Sequence, residues 1–154
     1  MELQDWELIL AVLSQNTHRR NYEMAYRRLM EEFPSVAAVA EAPLSRIEEA
    51  IRPGGLSGQK SRAIKGMLAV IREQRGDYSL EFLRGSGVKE ARAYLTALPG
   101  VGPKTASVVL MFADGRNVLP VDTHVLRTAR RTGLVGGKVD AAKAQEELEE
   151  LVPP

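Results

Sequence analysis

The sequence predicts an all-α fold, a bundle of short helices around one core. Apolar residues recur at three- and four-residue spacing along nearly all of the 154 positions, the signature of helices that each bury one face. No run keeps the period-two alternation of a strand. The periodic segments are separated by short turns marked by Pro and Gly, which suits a compact bundle better than a chain of linked modules. The length fits one domain able to bury a core, so residues 1–154 read as a single unit with no repeat and no low-complexity linker.

The elements follow in order. Trp6, Ile9, Leu10 and Leu13 share a face of the first helix, with Asp5 as its expected cap. Residues 19–33 carry Tyr22, Ala25, Tyr26, Leu29 and Met30 at helical spacing and stop at Pro34. Two short helices, at about 35–42 and 44–51, are divided by Pro43, and Arg52-Pro53-Gly54-Gly55 is a strong turn signal. Residues 59–75 form the longest periodic segment, with Ile64, Met67, Leu68 and Ile71 inward and Gly76-Asp77 at its end. A brief helix near 79–84 precedes Gly85-Ser86-Gly87, and helices of about 88–97, 103–113, 123–132 and 140–151 complete the chain. The most strand-like stretch, Val118-Leu119-Pro120-Val121, is short and contains Pro.

Composition narrows the chemistry. The chain is 44% hydrophobic and 27% charged, ordinary for a globular protein. No apolar run approaches the ~18 residues of a spanning helix, and the acidic start Met1-Glu2-Leu3-Gln4-Asp5 lacks the basic region of a secretory signal. The expectation is an intracellular protein without a membrane partner. With no cysteine, the chain can form no disulfide, thiolate nucleophile or Cys-ligated metal site, and its two histidines, His18 and His124, sit in no ligand pattern. Net charge is +1, but residues 140–154 hold five acids against one lysine, leaving 20 basic and 15 acidic side chains in 1–139. The bases cluster at Arg19/Arg20, Arg27/Arg28, 60–65 and 127–131, a distribution suited to phosphates on one face.

One turn stands out. In Leu98-Pro99-Gly100-Val101-Gly102-Pro103-Lys104, Gly100 and Gly102 can take positive φ and let a phosphate reach backbone N–H groups. Pro103 fits the first position of the next helix, whose unpaired N–H groups and positive dipole end then face that phosphate. The segment looks like the turn of a helix-hairpin-helix DNA-binding motif, spanning about 88–113. A nucleotide-binding phosphate loop would need Gly where Pro103 stands, and a preceding strand. Lys104 is oddly placed, because a cation in the first turn opposes the helix dipole. That field, with partial burial, favours the neutral amine that Schiff-base chemistry requires. A lysine that only neutralises a phosphate is the plainer alternative.

Asp122, within Val121-Asp122-Thr123-His124, follows Lys104 by 18 residues. It reads as a helix N-cap, a role worth about 1 kcal/mol. Capping also holds a carboxylate rigid and ionised, as stabilisation of a cationic transition state demands. His124 lies beside it and reads more simply as a first-turn helical residue.

Together, residues 98–108 and 121–127 resemble the helix-hairpin-helix/Gly-Pro-Asp superfamily of DNA glycosylases, and within it the endonuclease III branch. Weaker similarity spans about 5–152. The resemblance implies that Lys104 is the nucleophile and Asp122 the essential carboxylate. It places Gly100, Val101, Gly102, Lys104 and Thr105 on DNA. Gln15, in Ala11-Val12-Leu13-Ser14-Gln15-Asn16-Thr17, matches a side chain that enters the duplex, and Leu56, in Gly55-Leu56-Ser57-Gly58-Gln59-Lys60, matches a wedge. The implied function is base excision with AP-lyase activity, on oxidised pyrimidines, by a monomer acting in the cytoplasm at the nucleoid. The implied partner is double-stranded DNA carrying a damaged base or an abasic site.

The chain departs from this pattern in two places. The family's four terminal cysteines, which hold a four-iron–four-sulfur cluster, are missing, so no cofactor is expected on this chain and a cluster only in a longer parent. The family's leading helix is missing too. The expectation is a helical core with an incomplete flanking lobe and apolar surface exposed where those pieces would dock. Other functions remain: a hairpin module that binds DNA without chemistry or an inactive core fragment, and a monofunctional uracil or mismatch glycosylase, against which Lys104 argues.

Overall fold

The computed structural model describes the backbone of residues 3–114, 119, 121 and 123–151. The order is α1 (Leu3–Leu13), α2 (Arg19–Glu32), α3 (Val36–Glu41), α4 (Leu44–Ile51), α5 (Ser57–Arg75), α6 (Val88–Thr96), α7 (Pro103–Asp114), α8 (Thr123–Arg131) and α9 (Ala141–Leu151). Short 3₁₀ turns occupy Arg52–Gly54 and Glu81–Gly85. The described residues include no strand, and no helix among them is long and apolar enough to cross a membrane.

Local chemistry sets most boundaries. Phe33 ends α2 ahead of Pro34. Ser35 then caps α3 by accepting the Ala38 N–H at 3.1 Å, and Asp140 caps α9 by accepting the Lys143 N–H at 2.8 Å. Gly76 closes α5 in the left-handed conformation that glycine adopts without steric cost. Two expectations need correcting. α1 begins at Leu3, so Asp5 lies within its first turn rather than capping it. α5 begins at Ser57, ahead of the apolar periodicity, because the Lys60 N–H already bonds the Leu56 carbonyl at 2.8 Å.

The main core draws on α1 to α7 and includes Leu8, Ile9, Leu13, Leu29, Ile47, Ile51, Ile64, Met67, Leu68 and Leu95, all fully buried. Trp6 meets Tyr26 edge-on at 6.1 Å. α1 packs on α7, α2 on α4, α4 on α5 and α6 on α7. A second, smaller cluster unites α8 and α9 through Val121, Ala129, Val135, Ala144 and Leu148. Polar contacts tie it to the first. Gln145, buried on α9, donates to Ser107 on α7, and Arg92 on α6 pairs with Glu149 on α9 at 2.8 Å. Apolar surface is exposed at Met24 and Met30 on α2, at Leu134, and at Leu151 ending α9.

The turn between α6 and α7 docks on α5 by backbone approach. A Cβ added to Gly100, whose φ is +75°, would lie 2.5 Å from the Ala63 Cβ; one added to Gly66 would lie 3.3 Å from the Pro99 Cβ. Ala63 and Gly66, three residues apart on one face of α5, thus form a shallow seat for Pro99-Gly100. Overpacking costs about 1–3 kcal/mol and a left-handed L-residue about 1–2 kcal/mol. Gly100→Ala should therefore lose about 2–5 kcal/mol in urea unfolding. Gly102→Ala, where an added Cβ meets nothing within 4 Å, should change stability by less than about 1 kcal/mol. Equal losses at the two positions would contradict this account of the turn.

Candidate functional site

The hairpin is built by burying its own apolar positions. Leu95, Leu98 and Val101 turn into the main core, while the Leu98 N–H bonds Leu95 O at 3.1 Å and the Val101 N–H bonds Leu98 O at 3.2 Å. The chain is thereby wound tightly into α7, whose first turn closes with the Ala106 N–H on the Gly102 carbonyl at 2.9 Å. The two glycines have separate tasks. Gly100 is demanded by its positive φ and its seat on Ala63; Gly102 faces open space, where lack of a side chain leaves backbone N–H groups approachable.

Not every residue expected on DNA points outward. Val101 is 5% exposed, so its side chain anchors the hairpin and only its backbone is left for a phosphate. Thr105 is 7% exposed, and its hydroxyl accepts a hydrogen bond from within the protein. Lys104, in the first turn of α7, is exposed, so the partial burial expected for its amine is not found. Asp122 lies outside the described residues. Its neighbours along the chain are described: Val121 is buried, the Leu119 N–H donates to Glu149 Oε1 at 2.7 Å, and α8 starts at Thr123. His124 is exposed in the first turn of α8.

Gln15 and Leu56, far apart in sequence, frame the same region. Gln15 follows α1, and its Nε2 donates to Gly100 O at 2.9 Å and to Thr105 Oγ1 at 2.8 Å, which clamps both sides of the hairpin. Leu56 precedes α5 with φ 49° and is 51% exposed. A left-handed leucine costs about 1–2 kcal/mol, and a half-exposed one recovers little of that by burial. Asn16 is also left-handed, at φ 52°, which asparagine tolerates better.

The basic cluster at 60–65 is not the phosphate-facing patch its composition suggested. Lys60 is 3% exposed, and its Nζ donates to Leu13 O at 2.8 Å and Gly54 O at 3.2 Å. Burial pulls its pKa below the ordinary lysine value. Lys65 Nζ donates to the Ala42 carbonyl, leaving Arg62 exposed. Sequence reasoning missed Lys60 as a site-building residue because its partners are backbone carbonyls, which leave no trace in a sequence. On α8, Arg127 and Arg131 are exposed, and Arg130 donates to the Val139 carbonyl.

Among the described residues no group of three His, Asp or Glu side chains could hold a metal. The chain has no cysteine to offer an iron–sulfur cluster, so the residues present do not fit that cofactor.

The sequence and fold have clear relatives. Residues 9–154 match the HhH-GPD superfamily base excision DNA repair protein model. A protein of Arabidopsis thaliana, provisionally named a DNA glycosylase, is 41% identical over 146 residues, covering 95% of this chain and 50% of that protein. Endonuclease III of Sulfolobus acidocaldarius is 32% identical over 131 residues, covering 84% of this chain and 56% of its own length. The chain thus spans about half the length of these relatives. Among solved structures, a trapped endonuclease III–DNA covalent intermediate superposes with a TM-score of 0.76 at 30% identity, covering 96% of this chain and 65% of that one. A non-covalent endonuclease III–DNA complex gives a TM-score of 0.75 at the same identity, covering 96% and 64%. With the family model matched from Ile9 to the last residue, the chain belongs to the HhH-GPD superfamily of base excision DNA repair proteins.

Proposed function

We propose that this chain is the catalytic core of a DNA glycosylase with AP-lyase activity that acts on damaged bases in duplex DNA, with oxidised pyrimidines as the preferred class. The observation that carries the reading is the exposed Lys104 on the first turn of α7, two residues after Gly102, the open glycine of a rigidly seated hairpin. A phosphate held by the hairpin and the α7 N-terminus would bring the adjoining sugar towards the Lys104 amine. The likeness to endonuclease III structures captured on DNA, one as a covalent intermediate, supports the same reading.

The steps follow from the residue chemistry. The damaged nucleotide leaves the stack, with Leu56 entering the parted duplex and Gln15 following as it exchanges its bonds to Gly100 and Thr105 for the duplex. The Lys104 amine forms a bond to C1′ as the C1′–N bond to the base breaks, and the base departs with its bonding electrons and takes up a proton. The ring C1′–O4′ bond then opens to a protonated imine, and O4′ takes up the proton that Asp122 accepted from the amine. Loss of a C2′ proton expels the 3′ phosphate, so the strand is cut by β-elimination and water later releases the lysine. Asp122 stabilises the cationic sugar during base loss and accepts the proton shed by Lys104. A hairpin that only binds DNA would need the glycines but neither Lys104 nor Asp122.

Borohydride reduction tests the imine directly. Duplexes carrying thymine glycol, 8-oxoguanine, uracil or an abasic site should yield a covalent adduct, most readily with thymine glycol, and Lys104→Ala should abolish it. Duplex binding without adduct on any of these substrates would leave a DNA-binding module. Asp122→Asn should slow base excision by at least 100-fold, while duplex affinity stays within about threefold; unchanged turnover would reduce Asp122 to a helix cap.

A further inference from the structure

Among the described residues, only Asn16 and Leu56 combine a side chain with left-handed backbone, at φ 52° and 49°. They sit in two separate loops, one leaving α1 and one entering α5. A single side chain joins those loops from beneath. Lys60 Nζ donates to the carbonyl of Leu13, the last residue of α1, and to that of Gly54, two residues before Leu56. Its backbone N–H meanwhile bonds the Leu56 carbonyl. Gly54 is itself seated tightly, since an added Cβ would lie 3.1 Å from the Ala25 Cβ on α2.

Burying an ammonium is costly unless its donors are satisfied, and an apolar side chain of similar volume would fill this space with no such cost. The cation does one thing a methionine could not. It bonds two carbonyls at once, one of them at the negative end of the α1 dipole, and so fixes the distance between two loops that share no helix.

We propose that Lys60 is a positioning residue that locks the Gln15-Asn16 turn and the Leu56 loop together, so that both prongs enter a duplex as one preformed unit. This rests on the reading of Gln15 and Leu56 as DNA-contacting residues. Gln15 extends the lock to the hairpin through its bonds to Gly100 and Thr105, which places the two prongs and the first turn of α7 on one rigid frame. Such a frame carries the ordering cost in folding instead of at binding. It should therefore matter most on DNA whose strands must be parted and least on DNA that is merely held.

The test uses a duplex containing a tetrahydrofuran abasic analogue, which cannot form an imine with Lys104, beside the same duplex intact. Lys60→Met keeps the chain length and removes the donors. It should weaken binding to the furan duplex at least tenfold and to the intact duplex less than threefold. Adding Leu56→Ala to Lys60→Met should cost little more than Lys60→Met alone, because the wedge is already uncoupled. Backbone amides around Asn16 and Gly55 should exchange hydrogen faster in Lys60→Met without DNA. Lys60→Arg, which keeps charge and donors, should stay within about threefold of wild type on both duplexes, and it is the deciding variant if Lys60→Met does not fold. A folded Lys60→Met with wild-type furan selectivity, additive losses with Leu56→Ala, or a folded Lys60→Arg as impaired as Lys60→Met would each overturn the proposal. Wild-type protein that does not prefer the furan duplex would instead overturn the DNA-contact reading; the exchange comparison stands apart, and unchanged loop exchange in Lys60→Met would overturn the lock.

Discussion

The close approach of Pro99-Gly100 to α5 is the constraint on which the arrangement depends. Gly100 lies so near Ala63 that no side chain fits between them, and Gly66 leaves room for Pro99. Since interiors are packed at crystal-like density, this contact fixes the height of the turn above α5 and the direction in which α7 departs. Lys104 inherits its position from that departure. One face of α5 therefore serves two purposes, with Ala63 and Gly66 seating the hairpin and Lys60, one turn earlier, reaching the end of α1.

The polar groups inside the protein do similar work, joining elements that apolar packing leaves separate. α8 and α9 form their own small core, and a chain of hydrogen bonds fastens that unit to α6 and α7. Gln145 reaches Ser107, and Glu149 accepts from Arg92, from Gln145 and from the backbone of Leu119. A part-buried network of this kind favours one arrangement over near alternatives, because a shift takes these partners from its donors and acceptors; the buried Arg92 Nε is left without a partner even so. It ties the approach to α8, the segment that carries Asp122, to the helices that carry the hairpin.

Most helices were legible in the sequence because each announces itself locally, through apolar spacing, Pro34 and Pro43 as stops, and Gly76 as a closing residue. The hairpin was legible for the same reason. What could not be read depends on contacts between distant segments. The partners of Gln15 lie across the fold at Gly100 and Thr105, and those of Lys60 are carbonyls of Leu13 and Gly54. Lys60 therefore looked like one more surface base. Val101 and Thr105 looked like DNA contacts because of their place in the motif, while the structure spends their side chains on anchoring the hairpin. Asp5 resembled a cap because a helix start one turn earlier has no apolar marker.

The central claim is that the frame exists to present one particular amine. Digestion of the borohydride-reduced protein–DNA adduct, followed by mass spectrometry of the modified peptide, reads this directly. The account predicts a deoxyribose remnant on Lys104 alone, with Lys60 and Lys65 unmodified. An adduct on another lysine or on the N-terminal amine, with Lys104 unmodified, would contradict it.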